Sequence, residues 1–132
     1  MPLFSTKKKT LREQREEEAA AKVKFKETNL EVDYEVGKEI GSGQFAVVRS
    51  CVERKTGRNV AAKFIKKKQS QSARRGVNRI DIVREVQILR RLNNDHIMKL
   101  YDVYEDRQKV VLLIELVSGG ELFDWMRSCQ IF

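Results

Sequence analysis

The sequence feature that most constrains the fold is an acidic residue inside an apolar helix pattern, RIDIVREVQILRRL at positions 79–92. An α-helix turns about 100° per residue, so Glu85 is predicted to share one face with four aliphatic side chains. These are Ile82, Ile88, Leu89 and Leu92. A buried carboxylate costs several kcal/mol unless a cation meets it. We therefore expect the rest of the fold to bring a positive charge to this helix face.

Strand patterns lie on both sides of this helix. The segments YEVGKEIGSG, AVVRSCVER and RNVAAKFIKK predict three strands joined by short glycine-containing turns, as in an antiparallel meander. After the helix, HIMKLYDVYED and KVVLLIEL predict two further strands. The chain then leaves the sheet, and residues 121–126 resemble the start of another helix.

The first 32 residues form a charged N-terminal extension. The stretch TLREQREEEAAAKVKFKE contains good helix formers and a favourable ion-pair spacing from Glu18 to Lys22. Its apolar residues, Leu11, Val23 and Phe25, form no sustained stripe. We therefore predict a disordered or transiently helical segment, followed by one folded domain over residues 33–132.

The excess positive charge is confined to one part of the chain. Residues 63–91 contain ten Lys or Arg and two acids, whereas the rest of the chain contains seventeen of each. The centre of this charge is KKKQSQSARRGVNR, residues 66–79, which we call the basic loop. A solvated loop is the simplest interpretation, and a surface for a protein partner or for self-association is the functional alternative. Aromatic residues are not interleaved with these charges, which disfavours nucleic-acid binding.

The sequence lacks the features typical of membrane, secreted and metal-binding proteins. No run of 18 or more apolar residues and no signal-peptide pattern occurs, so we expect no membrane contact and a cytoplasmic or nuclear location. Cys51 and Cys129 match no metal-ligand spacing, so no metal site is predicted.

A glycine-rich turn, GSGQFAVV, lies between the first two predicted strands. Glycines allow backbone amides to approach phosphates closely, because no side chain blocks them. A strand follows the glycines, whereas a dinucleotide-binding fingerprint needs a helix there, and the Lys-Ser/Thr ending of a P-loop is absent. A phosphate-covering loop and a plain hairpin turn both remain compatible with these residues.

A lysine interrupts the apolar third strand, VAAKFI. Strand alternation places Ala61, Lys63 and Ile65 on one face and Ala62 and Phe64 on the other. A lysine among apolar neighbours either extends its ammonium group to solvent or needs an anion. Because Glu85 needs a cation, we predict that the two residues pair, in an arrangement that can orient a triphosphate.

These elements, in this order, resemble the small N-terminal lobe of protein kinases, from about Tyr34 to the end of the chain. The segments GSGQFAVV, AAKFIKK, RRGV and ELVSGGELFD are similar to the death-associated protein kinase family within the calcium/calmodulin-dependent group. Ala46 stands where many kinases have a third glycine, and this family shares that feature. The resemblance implies an α+β fold with a five-stranded antiparallel sheet and one packed helix, ending after the hinge.

The resemblance also implies a role for each matching residue in binding ATP. Lys63 would contact the α- and β-phosphates and pair with Glu85, and these two residues are the catalytic candidates. The glycine-rich turn would cover the phosphates with Gly41, Ser42, Gly43, Gln44, Phe45 and Ala46. The adenine would be enclosed by the aliphatic side chains of Ile40, Val48, Ala61 and Ile114. The backbone of Glu115 and Val117 would hydrogen-bond the adenine edge, because this strand end is expected to have free amide and carbonyl groups. Glu121 would lie near the ribose or the substrate peptide.

No H-R-D, D-F-G or A-P-E motif occurs in these 132 residues. Those motifs supply the catalytic aspartate and the Mg²⁺ ligands of a protein kinase. We therefore expect the chain to represent the ATP-binding part of a serine/threonine kinase whose Mg²⁺ ligands lie in a C-terminal lobe. The 132 residues alone should transfer no phosphate, which a radiolabelled transfer assay against a Lys63→Ala control checks. They should also bind ATP weakly, which calorimetry in the presence of magnesium checks. Protein substrates belong to the complete kinase, and calmodulin is a partner only if that kinase has a regulatory segment.

A second hypothesis treats the chain as a non-catalytic interaction or decoy module that acts through the basic loop. Charge reversal at five basic residues should then abolish pull-down of a partner. These are Lys66, Lys67, Lys68, Arg74 and Arg75. Nucleic-acid binding through the same charges would show as a salt-sensitive gel shift.

Overall fold

The computed structural model describes residues 8–91 and 99–116. The helices are α1 Leu11–Lys22, α2 Leu30–Asp33 and α3 Arg79–Arg91, and the strands are β1 Tyr34–Ser42, β2 Ala46–Glu53, β3 Asn59–Lys66, β4 Leu100–Glu105 and β5 Lys109–Glu115. None of the helices within these ranges is long and apolar enough to cross a membrane. The predicted helix start at 121–126 lies outside the described residues.

The five strands form one sheet in the order β1-β2-β3-β5-β4. Every neighbouring pair is antiparallel, and β3 occupies the centre, between β2 and β5. Helix α3 connects β3 to the edge strand β4, and β5 then returns between them. The five-stranded antiparallel sheet with one packed helix, predicted from the sequence, is confirmed.

The two faces of the sheet carry separate apolar clusters. The inner face contributes Val48, Ala61, Ile65, Leu112 and Ile114 to a core that includes the buried residues of α3. The outer face contributes Ala62, Val111 and Leu113, and Leu30 of α2 packs against them. The alternation predicted for VAAKFI is therefore present, because Ala61 and Ile65 lie on the inner side and Ala62 on the outer side.

Helix α3 is rotated relative to the sequence prediction. Its buried residues are Ile82, Val83, Val86 and Leu89. Ile88, which was placed on the buried face, is 55% exposed, and Leu92 lies outside the described residues. At about 100° per residue, Glu85 lies roughly a quarter turn from the centre of the buried face. The carboxylate is therefore at the border of the apolar face, from which it can reach the sheet at the side.

The charged N-terminal extension, which was predicted to be disordered or transiently helical, contains helix α1 in this structure. Helix α1 begins with a complete capping box between Thr10 and Glu13. Ala20 and Phe25 are buried in the same core cluster as the apolar residues of α3. Few apolar residues of the extension make this contact, so the sequence shows no sustained hydrophobic stripe there. Polar contacts, described below, supply the rest of the interface.

The basic loop has an ordered path fixed by backbone hydrogen bonds. Val77 N–H donates to the Lys66 carbonyl (2.9 Å), and Lys68 N–H donates to the Val77 carbonyl (3.0 Å). Gly76 has a φ of +102°. A Cβ on Gly76 would lie 2.7 Å from the carbonyl carbon of Lys67 and 2.7 Å from the amide nitrogen of Lys68. Only glycine fits this position without moving the neighbouring backbone.

We expect Gly76→Ala to lower the free energy of unfolding by about 2 kcal/mol, because it adds positive-φ strain and a backbone clash. Gly57→Ala is the matched control, since Gly57 has a φ of +73° but open space around its Cβ position. The control should cost only about 1 kcal/mol, from strain alone. Urea denaturation of both variants measures the difference. Equal costs would show that the close approach at Gly76 is absent in solution.

Candidate nucleotide site

The strand register aligns the glycine-rich turn with the buried lysine. Gly41 lies opposite Val48, Val48 opposite Lys63, and Lys63 opposite Leu112, across four neighbouring strands. Residues directly opposite each other in an antiparallel pair point to the same face. This row therefore joins the end of β1 and the middle of β3 on the inner face, next to helix α3.

Lys63 and Glu85 are brought together by the packing of α3 on the sheet. The Lys63 Nζ lies 3.6 Å from Glu85 Oε1, and the two side chains are 4% and 12% exposed. Among the charged residues of the described ranges, Lys63 is the one classed as buried. The cation that the sequence required for Glu85 is thus supplied by the third strand. The pair is accessible to very little water, so its interaction is screened less than that of a surface pair.

The tip of the glycine-rich turn is exposed and its base is held by hydrogen bonds. Ser42, Gly43 and Gln44 are exposed. Gly43 N–H donates to the Ala46 carbonyl (2.7 Å), and the Phe45 carbonyl accepts from Lys66 N–H (2.9 Å). The turn is therefore tied to β3 at one end, while its outermost backbone is open to solvent. Such a turn can bring backbone amides to an anion.

The aliphatic side chains proposed to enclose an adenine lie in one apolar cluster. Val48, Ala61 and Ile114 are buried in it, and Ile40 is partly buried against it. Ala46 of the glycine-rich turn is buried in the same cluster. A flat apolar heterocycle suits a wall built from aliphatic side chains. The resemblance to the protein kinase small lobe predicts that these residues form one site, and the sheet brings them together on its inner face.

At the end of β5, the backbone amide and carbonyl of Glu115 were both expected to be free, and the structure differs at the amide. Glu115 N–H donates to the Lys99 carbonyl (2.8 Å), so this amide already has an acceptor. The Glu115 side chain in turn accepts from Lys99 N–H (3.4 Å). The carbonyl of Glu115 is therefore the group that could contact an adenine. Val117 and Glu121 lie outside the described residues.

A second charged cluster, which the sequence analysis missed, joins the basic loop to the end of β4. Glu105 accepts from Lys67 Nζ (3.0 Å) and from Arg79 Nε (2.7 Å). These partners are 38 and 26 residues away in sequence, and no local pattern indicates such pairings. Two positive charges of the basic loop, those of Lys67 and Arg79, are thus paired with a carboxylate within the fold. A charge-reversal test of the loop as a partner surface should leave Lys67 and Arg79 unchanged.

The ionisation of Glu105 makes folding dependent on pH. Burial raises the pKa of Glu105, but the hydrogen bonds and charges of Arg79 and Lys67 outweigh it, and the net pKa lies below the ordinary value of 4.5. A carboxyl whose folded-state pKa is lowered stabilises the fold above its unfolded-state pKa, and this contribution is lost as pH falls through the folded-state value.

We therefore expect Glu105→Gln to be less stable than the parent chain at pH 7, and the difference to shrink as pH falls below about 4. Urea denaturation between pH 7 and pH 3 measures this convergence. Glu18→Gln is the control, because Glu18 is an exposed carboxylate on α1. A constant stability difference across the whole pH range would contradict the assigned role of the carboxylate charge.

Metal binding finds no support in the described part of the chain. Within residues 8–91 and 99–116, no three His, Cys, Asp or Glu side chains come close enough to hold a metal ion.

Comparison with known proteins identifies relatives over most of the chain. Human death-associated protein kinase 2 is 56% identical over 102 residues, which cover 77% of this chain and 28% of that protein. The death-associated protein kinase dapk-1 of Caenorhabditis elegans is 50% identical over 107 residues, which cover 80% of this chain and 8% of that protein. The chain thus spans between a quarter and a third of the human relative and a much smaller part of the nematode one.

Solved structures and family membership agree with these relatives. A twitchin kinase fragment from C. elegans, an autoregulated protein kinase with immunoglobulin domains, matches with a TM-score of 0.65 and 33% identity. The match covers 76% of this chain and 21% of that one. The protein kinase domain family matches residues 34–132. The sequence is thus similar to death-associated protein kinases over about three quarters of its length, and this chain belongs to the protein kinase family.

Proposed function

We propose that this chain is the ATP-binding portion of a serine/threonine protein kinase of the death-associated type. The observation that supports the proposal most is the buried pair of Lys63 and Glu85, 3.6 Å apart and beside a glycine-rich turn. A buried ion pair contributes little net stability by itself, because desolvation offsets the attraction. Orienting an anionic ligand would explain why the chain contains this pair, whereas a gain in stability would not.

In this proposal each residue acts on a different part of the nucleotide. Lys63 binds the α- and β-phosphates, and Glu85 holds the lysine ammonium group in place for them. The exposed backbone at Ser42, Gly43 and Gln44 covers the phosphates. The aliphatic wall around Val48 and Ala61 takes the adenine, with the Glu115 carbonyl at its edge. ATP supplies the transferable phosphoryl group, and the chain's own residues bind and orient it.

Binding to these 132 residues alone is expected to be weak. Val48, Ala61 and Ile114 have at most 1% of their surface exposed. ATP must therefore displace whatever covers these side chains, and this cost subtracts from the binding free energy. The sequence also lacks the catalytic-loop and Mg²⁺-binding motifs that act on the phosphates in complete kinases.

A titration of the ¹⁵N-labelled chain with ATP, followed by NMR, tests the proposal because it detects weak binding residue by residue. We expect shift changes at the amides of residues 41–48 and 61–63. Lys63→Met should remove most of the response, whereas Lys38→Met is a matched control at an exposed lysine on β1. Equal responses in all three proteins, or a response confined to the basic loop, would overturn the proposed site.

A further inference from the structure

The segment that precedes the kinase match is folded onto helix α3. The family match begins at residue 34, whereas α1 and the residues after it lie upstream of that point. We call residues 10–26 the N-terminal segment. Ala20 and Phe25 of this segment are buried in the core cluster that contains the apolar face of α3. The segment therefore covers part of a helix that carries a residue of the proposed nucleotide site.

Arg79, the first residue of α3, is the centre of this contact. Its guanidinium donates to the Ala20 carbonyl (2.7 Å) and to the Val23 carbonyl (2.5 Å). Ala20 lies in the last turn of α1, where a cation is favourable, and its carbonyl also accepts from the C-cap amide of Val23 (3.1 Å). The planar, five-donor geometry of arginine suits several acceptors at once. Arg79 thus caps α1 and fastens its end to the start of α3.

The same guanidinium also fixes α3 to the sheet. Arg79 donates to both oxygens of Glu105, at 2.7 Å and 3.0 Å, at the end of β4. Next to this point the N-terminal segment pairs with β4 itself. Lys26 N–H donates to the Val103 carbonyl (3.1 Å), and Glu105 N–H donates to the Lys26 carbonyl (2.8 Å). One arginine therefore joins three elements: the N-terminal segment, helix α3 and the edge strand.

Three further contacts lie along α3 from its start toward its end. Arg84 pairs with Glu16 of α1, at a partly exposed position. The Arg79 and Arg90 guanidinium groups lie 5.3 Å and 6.0 Å from the centre of the Phe25 ring, within the range of a cation–π contact. Contacts at positions 79, 84 and 90 oppose both rotation and translation of the helix. Glu85 lies between them.

We propose that the N-terminal segment holds helix α3, and with it Glu85, in position against Lys63, and that Arg79 is the central positioning residue. The docking is argued from the contacts alone, whereas its consequence for nucleotide binding rests on the proposed function. A helix that shifted by one or two ångströms would separate the pair, because its two atoms are already 3.6 Å apart. The segment thus sets the geometry of the proposed nucleotide site, although none of its own residues is proposed to contact the nucleotide.

Hydrogen exchange of the 132-residue chain tests this proposal without any nucleotide. Arg79→Ala should speed exchange of the α3 amides by about tenfold, because it removes several charge-assisted hydrogen bonds, while the amides of β2 and β3 stay unchanged. Arg79→Lys keeps the charge but not the fork of donors, so we expect only partial recovery. Arg91→Ala is the matched control, an exposed arginine on the same helix that is not among these contacts.

Three outcomes would overturn the proposal: unchanged α3 exchange, an equal acceleration in every element, or the same effect from Arg91→Ala. If Arg79→Ala does not fold, Glu16→Gln decides by the same criterion against the exposed control Glu18→Gln, with an expected rise of about twofold in α3 alone. An ATP titration of Arg79→Ala adds a separate readout. If the parent chain gives no ATP response, the proposed function fails, and the exchange result still decides the positioning role.

Discussion

Glu85→Leu is expected to lower the free energy of unfolding by about 3 kcal/mol, because Lys63 would keep a buried charge without this carboxylate. Lys63→Met should cost a similar amount, since it leaves the acid of Glu85 without its ammonium partner. Both residues lie where water is largely excluded, with side chains 4% and 12% exposed. Urea denaturation of each variant measures the loss.

The double variant Lys63→Met/Glu85→Leu should recover most of this stability, because apolar side chains of similar volume replace a buried ion pair at little cost. It should nevertheless show no ATP-dependent NMR shifts. Restored stability together with lost binding would separate the ligand-binding role of the pair from any structural role. Additive losses in the double variant would show that the two side chains do not interact.

Ile82→Ala is the second large effect that we expect, at about 3 kcal/mol, because it leaves a cavity between α3 and the sheet. Ile82 has 0% of its surface exposed. Ile88→Ala is the matched control, with the same chemical change on the same helix at a residue that is 55% exposed. That change should stay within about 0.5 kcal/mol. Urea denaturation compares the two variants.

This pair of variants reports the rotation of α3 about its own axis. If Ile88→Ala were as costly as Ile82→Ala, the buried face would be the one predicted from sequence, with Glu85 near its middle. The structure instead places Glu85 at the border of that face, and the reach from there to Lys63 depends on the rotation. The same measurement therefore bears on the fold and on the proposed site.

The local elements were predicted well from the sequence, because each depends on short-range chemistry. Alternating β-branched residues indicated the strands, glycines marked the turns, and the need of Glu85 for a cation pointed to Lys63. Ile88 was misplaced for a physical reason. Ile88 fits the helical period as well as Val86 does, and only the contact with the sheet decides which is buried.

The contacts between distant elements could not be predicted from the sequence. Arg79 and Glu105 are 26 residues apart, and Arg79 and Ala20 are 59 residues apart. Neither spacing corresponds to a helix or strand period. The amide of Glu115 was expected to be free, but its partner is the carbonyl of Lys99, which only the pairing of β4 with β5 brings near.

By itself, the sequence determined the number of strands and their order along the chain. It also determined the glycine-rich turn and the requirement that a buried acid and a buried amine meet. These follow from side-chain period, backbone freedom and the cost of unpaired charge, which act locally or between two residues. The tertiary structure alone decided which face α3 buries and that the N-terminal segment docks on it. These depend on many weak contacts formed together, and no single residue of the segment carries enough apolar surface to predict them.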